Sequence, residues 1–209
     1  MQENSIARDV LMLLIGAGIS LIASTATFFL ERWWNRSGKL QLYFLLMDNE
    51  GGDRYPLGFV EKRSIGQIEF NVPISLEIVN LSNTSRIIRN VELSMYNGNR
   101  RVKRLAQITH SEYTPVSTSG KFEKVEIEYG SENNSYSFVV QPKSIQKQIL
   151  LFCDEIKMSD EERRKYFFDN LRLEYYDEKN HLKSYKIYSV ENAWQEQRLQ
   201  HNETWMLAR

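Results

Sequence analysis

Between Val10 and Leu30 the chain runs for twenty-one residues, VLMLLIGAGISLIASTATFFL, without a charged side chain. As a helix this stretch rises about 32 Å at 1.5 Å per residue, against about 30 Å of bilayer hydrocarbon. A transmembrane helix over 10–30 is therefore expected. A secretory signal is the competing explanation, and it requires a basic leader, a core of about 7–15 residues and a small-x-small cleavage site. The leader here carries Glu3, Arg8 and Asp9, a net −1. The apolar run is too long for a signal and closes on Phe28, Phe29 and Leu30. An uncleaved anchor fits better.

The flanks orient it. Glu31, Arg32, Arg36 and Lys39 follow the helix with a net +2, and Lys- and Arg-rich flanks stay in the cytoplasm. A cell-membrane location follows, N-terminus outside and C-terminal domain in the cytoplasm. Trp33 and Trp34 stand where an interfacial aromatic belt would hold the helix. Cys153 is the sole cysteine, so no disulfide can form within one chain, in keeping with a cytoplasmic domain. Five N-x-[ST] sequons, at Asn35, Asn80, Asn83, Asn133 and Asn202, are read as polar turns. Gly16, Ser20 and Ser24, with Ala23 and Thr27 alongside, form a small-residue stripe of the kind that lets two membrane helices approach. Homo-oligomerisation through that face is one expectation.

The chain then divides into an extracytoplasmic tail 1–9, the helix 10–30, a basic juxtamembrane segment 31–39, a soluble β domain 40–190 and a C-terminal tail 191–209. The dominant period of the domain is two. Ile68, Phe70, Val72, Ile74, Leu76 and Ile78 alternate with Glu69, Asn71, Pro73, Ser75 and Glu77, the pattern of a half-buried antiparallel strand. Pro73 has no N–H for a ladder bond, which predicts an edge or a bulge there. Further strands are expected over 40–47, 91–96, 100–108, 122–129, 136–141, 145–153, 171–176 and 183–190. Asn97-Gly98 marks a hairpin, and Asp177–Asn180 turns the last two strands. Ser159 with Glu162 forms a capping box that starts a short helix over 160–169. The tail 191–209, with Trp194, Leu199, Trp205 and Leu207, is expected to hold a second short helix.

About eight such strands indicate an all-β domain, an antiparallel sandwich or a small barrel. The stretch PISLEIVNLSNTSRIIRNVELSMYNG resembles the paired strands of immunoglobulin-like domains. It lacks the Cys…Trp…Cys hallmark of true immunoglobulin domains.

The chain carries few chemical motifs. His110, His181 and His201 have no ligand at metal-site spacing, and phosphate-loop, dinucleotide and nucleophile-elbow motifs do not occur. Neither a metal nor a cofactor is implied. Glu123, Glu126, Glu128 and Glu132 read as the solvated side of a strand, and Cys153 as a small buried hydrophobe. Tyr175, Tyr176, Tyr185 and Tyr188 cluster in the last hairpin, where some could stack on bases or face the core. The local anomaly is basic. Arg86, Arg89, Arg100, Arg101, Lys103 and Arg104 face only Glu92 within nineteen residues. Paired in a hairpin, they would gather at one sheet end. Three roles compete for them: a phosphate-bearing ligand, anionic headgroups, or internal pairing with the acidic strand 123–132. Extended nucleic acid is not expected, because positive and negative side chains balance over the chain.

Two functional expectations result. The first is a single-pass, membrane-anchored, non-catalytic module that binds an unknown protein or ligand at the cytoplasmic face. The second is a ligand-gated membrane effector. Its plan is similar to small bacterial antiviral effectors in which a transmembrane segment precedes a β-barrel sensing a nucleotide second messenger. That similarity implies phosphates held by residues 86–104 and assembly through Gly16, Ser20 and Ser24. It is a similarity of architecture, without a shared motif.

Overall fold

A computed structural model describes residues 3–36, 38–47, 57–62, 67–113, 125–131, 135–157, 167–190 and 204–208. One helix, α1 (Glu3–Arg36), contains the whole apolar run and continues past both of its ends. Its segment Leu11–Trp33 is long and apolar enough to cross a membrane, and none of its most apolar window is buried against the rest of the chain. Ser24, Thr25 and Thr27 return their hydroxyls to carbonyls one turn back at 2.7–2.8 Å, so these polar groups are satisfied inside the helix.

The rest is mostly β. β1 (Leu40–Leu46), β3 (Gln67–Asn80), β10 (Ser144–Lys157) and β6 (Ala106–Ile108) run side by side in one antiparallel sheet. β13 (Met206–Leu207) adds to β1, and β2 (Gly58–Lys62) to β3. A second sheet has the order β12 (Leu182–Ser189), β11 (Asn170–Tyr176), β4 (Arg86–Asn97) and β5 (Arg100–Arg104), with β9 (Phe138–Val140) also on β4. β7 (His110–Tyr113) and β8 (Val125–Glu128) form a separate ribbon. Both main sheets are open, so the barrel expected as an alternative is not what the chain forms.

The inner faces follow the alternation. Phe70, Val72, Ile74, Leu76 and Ile78 of β3 are fully buried. They share one cluster with Leu42, Phe44 and Leu46 of β1, Val91, Leu93 and Met95 of β4, and Leu171, Leu173 and Tyr175 of β11. Each such side chain contributes about 1.5–3 kcal/mol when removed from water. Phe168 reaches this core edge-on against Phe70, with ring centroids 5.6 Å apart.

Several expectations change in detail. The stretch 100–108 is two strands, because the chain changes sheets at Leu105. That side chain is buried, and its N–H bonds to the Leu93 carbonyl at 2.9 Å. The two strands likened to an immunoglobulin pair do not pair with each other. β3 and β4 lie in different sheets, joined across Leu81–Ser85. The β4–β5 turn is Gly98-Asn99, one residue later than expected, since Asn97 pairs with Arg100. Gly98 has φ +57°, which suits the first position of a tight hairpin turn. Pro73 lies in a strand paired on both sides. Its carbonyl accepts from Met47 N at 3.1 Å, which places its missing N–H on the side where β1 ends and β2 begins. The proline thus falls where one partner strand hands over to the next.

Thirteen strands are described where about eight were expected: 100–108 divides in two at its sheet change, and Gly58–Lys62, His110–Tyr113 and Met206–Leu207 are short strands outside the expected ranges. The expected helix over 160–169 falls outside the described residues up to 166, and 167–169 are not helical. In the tail, 191–203 also lie outside, and Met206–Leu207 pairs with β1 as a strand.

Candidate functional site

The basic run does not gather at one sheet end. β4 extends about 3.3 Å per residue, so Arg86 at its start lies roughly 36 Å from Asn97, which pairs with Arg100. Arg86 and Arg89 belong to one end of the domain. Arg100, Arg101, Lys103 and Arg104 belong to the far half of the sheet.

At the first end, Arg86 joins three segments. Its guanidinium donates to the Gly38 carbonyl at 3.0 Å and to Ser82 Oγ at 3.3 Å, and it pairs with Glu178. Arg89 donates to the Asp177 carbonyl at 3.2 Å and to Asn180 Oδ1 at 3.0 Å. Asn80, fully buried at the end of β3, ties the same loops together. Its amide nitrogen contacts the carbonyls of Thr84 (2.9 Å), Val140 (3.1 Å) and Gln141 (2.9 Å), and its Oδ1 accepts from Ser82 N and Oγ. That burial leaves the Asn80 sequon structural. Gly38 lies against this knot so closely that a Cβ would stand 2.1 Å from Ser82 Cα.

The second half carries a polar face. On β4, Val91, Leu93 and Met95 point to the core, so Glu92, Ser94 and Tyr96 point outward. On β11, Arg172 and Glu174 do the same. Glu92 and Glu174 are register partners, yet only 4% and 1% exposed. Like charges directly opposite each other destabilise a sheet, so each needs a partner. Glu174 accepts from Ser94 Oγ (2.8 Å), Tyr96 Oη (2.6 Å) and Ser184 Oγ (3.2 Å), with Arg101 at 3.7 Å. Glu92 pairs with Arg104 at 2.8 Å and with the Asn90 amide. Arg172 stacks over the Tyr96 ring at 4.3 Å. Burial, then the Glu174 hydrogen bond, raises the Tyr96 hydroxyl above its ordinary pKa. At the nearby turn, the Gly98 N–H holds the Asp169 carboxyl below the usual range from 2.9 Å.

Of the six basic candidates, Arg101 and Arg104 therefore meet on this face, with their side chains 45% and 49% exposed. Lys103 points the other way and pairs with Asp154 of β10 at 2.6 Å. Arg100 is exposed at the turn. Among the described residues, internal pairing links these basic side chains to Glu92, Asp154, Glu174 and Glu178. In the expected partner strand 123–132, Glu126 and Glu128 are exposed, and Glu123 and Glu132 lie outside the described residues. The buried acids Glu92 and Glu174 escaped the sequence reading. Their alternation marks them as outward, and nothing in it says that arginines will cover them.

Elsewhere the chemistry is quiet. Among the described residues no group of three or more His, Cys, Asp or Glu could hold a metal. His110 and His181 are exposed, and His201 lies outside the described residues. Cys153 donates to Glu69 at 3.3 Å, and burial pushes its thiol up to about 12, which leaves it protonated at neutral pH. Opposite it, fully buried Asn71 has no hydrogen-bond partner among the described residues for either side-chain polar atom. Tyr175 is buried and stacks on Tyr185 at 6.0 Å, while Tyr185 and Tyr188 pack on the core. Tyr176 is half-buried on the opposite face. A Cβ added at Gly16 would meet nothing within 4 Å beyond its own helix turn, and Ser20 and Ser24 are exposed along the same helix. No protein-family model, curated protein or solved structure matches the chain.

Proposed function

We propose that this is a single-pass membrane protein whose β domain is a non-catalytic binding module at the cytoplasmic face. The observation that carries the reading is the helix. Its 23-residue apolar segment has its most apolar window wholly uncovered by the protein, and a bilayer is the environment that would cover it. The facing sheets are read as an immunoglobulin-like sandwich, with the Leu81–Ser85 crossover as the resembling part. The outer face bearing Tyr96, Arg101, Arg104 and Arg172 is the surface offered to a partner, with Glu92 and Glu174 fixing its arginines.

A second reading takes the same face differently. Three guanidinium groups beside one tyrosine could receive the phosphates of a nucleotide, which would make the protein a ligand-gated membrane effector assembled through Gly16, Ser20 and Ser24.

Both are tested on the full chain. Carbonate-washed membranes should retain it, and a C-terminal fluorescent fusion should light while a periplasmic reporter stays silent. Recovery of a shortened soluble chain would overturn the anchor. Calorimetry of the detergent-solubilised protein against cyclic nucleotides then separates the two. Binding lost on Arg101→Glu with Arg104→Glu favours the effector, and a flat titration favours the binding module.

A further inference from the structure

The end of the domain that receives the helix is itself built as a cationic plate. Four segments meet there: Gly38–Lys39, Leu81–Ser85, the β9–β10 turn at Pro142–Lys143, and the β11–β12 turn at Asp177–His181. Backbone bonds from Leu81 N to the Lys39 carbonyl and from Lys143 N to the Ser82 carbonyl, both 3.1 Å, lock the first three together. Arg86 and Arg89 lock the fourth. Lys39, Lys143 and Lys179 are exposed on this plate, as is Arg89. Among the described residues no carboxylate pairs with any of these four. The acids of the plate are already engaged, Glu178 by Arg86 and Asp177 by Lys183 and His181 at 3.7 Å. Although partial burial pushes the other way, the His181 and Lys179 N–H groups hold the Asp177 carboxyl below its ordinary range. Two leucines stand among these cations, Leu81 at 44% and Leu182 at 49% exposure.

Position makes this more than a charged surface. Helix α1 ends at Arg36, three residues beyond the apolar segment, which is about 5 Å of rise. Gly38 is already packed against Leu81 and Ser82, so the link is at most about 8 Å long. The opposite end of β4 lies roughly 36 Å farther away. The plate therefore cannot leave the neighbourhood of the headgroups, whereas the Gly98-Asn99 turn can. We propose that this plate docks on anionic headgroups of the leaflet from which the helix emerges, with Lys39, Arg89, Lys143 and Lys179 facing phosphates and Leu81 and Leu182 at the acyl boundary. The proposal rests on the anchored reading above. It re-sites lipid contact from the run 86–104 to cations far apart in sequence that the topology brings together.

The test uses the full chain in nanodiscs, in a Cys153→Ser background, with a spin label at Pro142→Cys on the plate or Asn99→Cys at the far turn. Discs contain a headgroup-chelated nickel lipid with either phosphatidylcholine alone or 30% phosphatidylglycerol. The plate label should relax strongly with phosphatidylglycerol and much less without it, and the far label should respond to neither. Each charge removed by Lys39→Gln, Lys143→Gln or Lys179→Gln should lower the docked-to-undocked ratio about fivefold, equivalent to ~1 kcal/mol. Raising salt to about 1 M shortens screening to roughly 3 Å and should mimic the triple variant without any mutation. Equal relaxation in both lipids, unchanged by salt or variant, would overturn the proposal. So would a plate response to added inorganic phosphate in neutral discs, or one that depends on the number of chains per disc. A chain that fails to enter discs at all overturns the anchor, a result distinguishable from an inserted chain with a silent plate.

Discussion

The end of the domain that receives the helix and the outer face of the β4 sheet both bury polar side chains, but their partners differ in kind. At the end, Asn80 donates to the main-chain carbonyls of Thr84, Val140 and Gln141, and Arg86 to that of Gly38 besides Ser82 Oγ and Glu178. On the face, Glu92 and Glu174 bond to side chains, and their arginines remain half in water. A carbonyl cannot turn away when its partner is lost, whereas a half-exposed guanidinium can rehydrate. The first network therefore fixes how the chain is threaded. The second leaves charged groups where another molecule can meet them.

The sharpest way to break that contrast is Asn80→Asp. The carboxylate keeps the acceptor for Ser82 but loses the donors shared by the buried Val140 carbonyl and the part-buried Thr84 and Gln141 carbonyls, and stranded buried groups cost about 1–3 kcal/mol each. A loss of about 3–4 kcal/mol is expected in urea unfolding of the detergent-solubilised chain. Stability equal to the parent would show that the knot does not hold the loops. Glu174→Ala comes next, at about 2–3 kcal/mol, because the Ser94 and Tyr96 hydroxyls lose a buried acceptor while Arg101 can rehydrate. Glu174→Gln should recover about half of that, since an amide oxygen still accepts. If Glu174→Ala proved harmless, the face would be an ordinary wet surface.

What could be read in advance follows from what alternation encodes. The apolar phase from Phe70 to Ile78 shows which side of β3 meets a core, and that side is buried throughout. Alternation says nothing about which sheet a strand joins. Leu105 looks like any apolar residue in a longer strand, yet the sheet changes there. Pro73 marks a real discontinuity, but only the arrangement of β1 and β2 shows it to be a handover rather than an edge. The basic run misleads for a related reason. Closeness in sequence suggests one patch, while an extended strand separates Arg86 from Arg100 by most of the domain's length. The cations at the helix-side end, Lys39, Arg89, Lys143 and Lys179, come from a linker, a strand and two turns that only the sheet topology unites.

The finest test of the comparison uses three arginines from that one run. Arg86, 20% exposed, touches the Gly38 carbonyl, Ser82 and Glu178, so Arg86→Ala should cost about 1–2 kcal/mol. Arg104 is 49% exposed but its partner Glu92 is buried; water entering in place of the side chain and the Asn90 amide would still solvate that carboxylate, so Arg104→Ala should cost about 1 kcal/mol, below Arg86→Ala. Arg100 is exposed at the turn, and Arg100→Ala should stay within about 0.5 kcal/mol. The order matters more than the values, because all three changes remove the same side chain from the same hairpin. Measured side by side by thermal unfolding in one detergent, they differ only in what each guanidinium touches. An Arg104 cost above that of Arg86 would mean that the outer face, not the helix-side end, carries the domain's structural polar network, and the two regions would exchange roles.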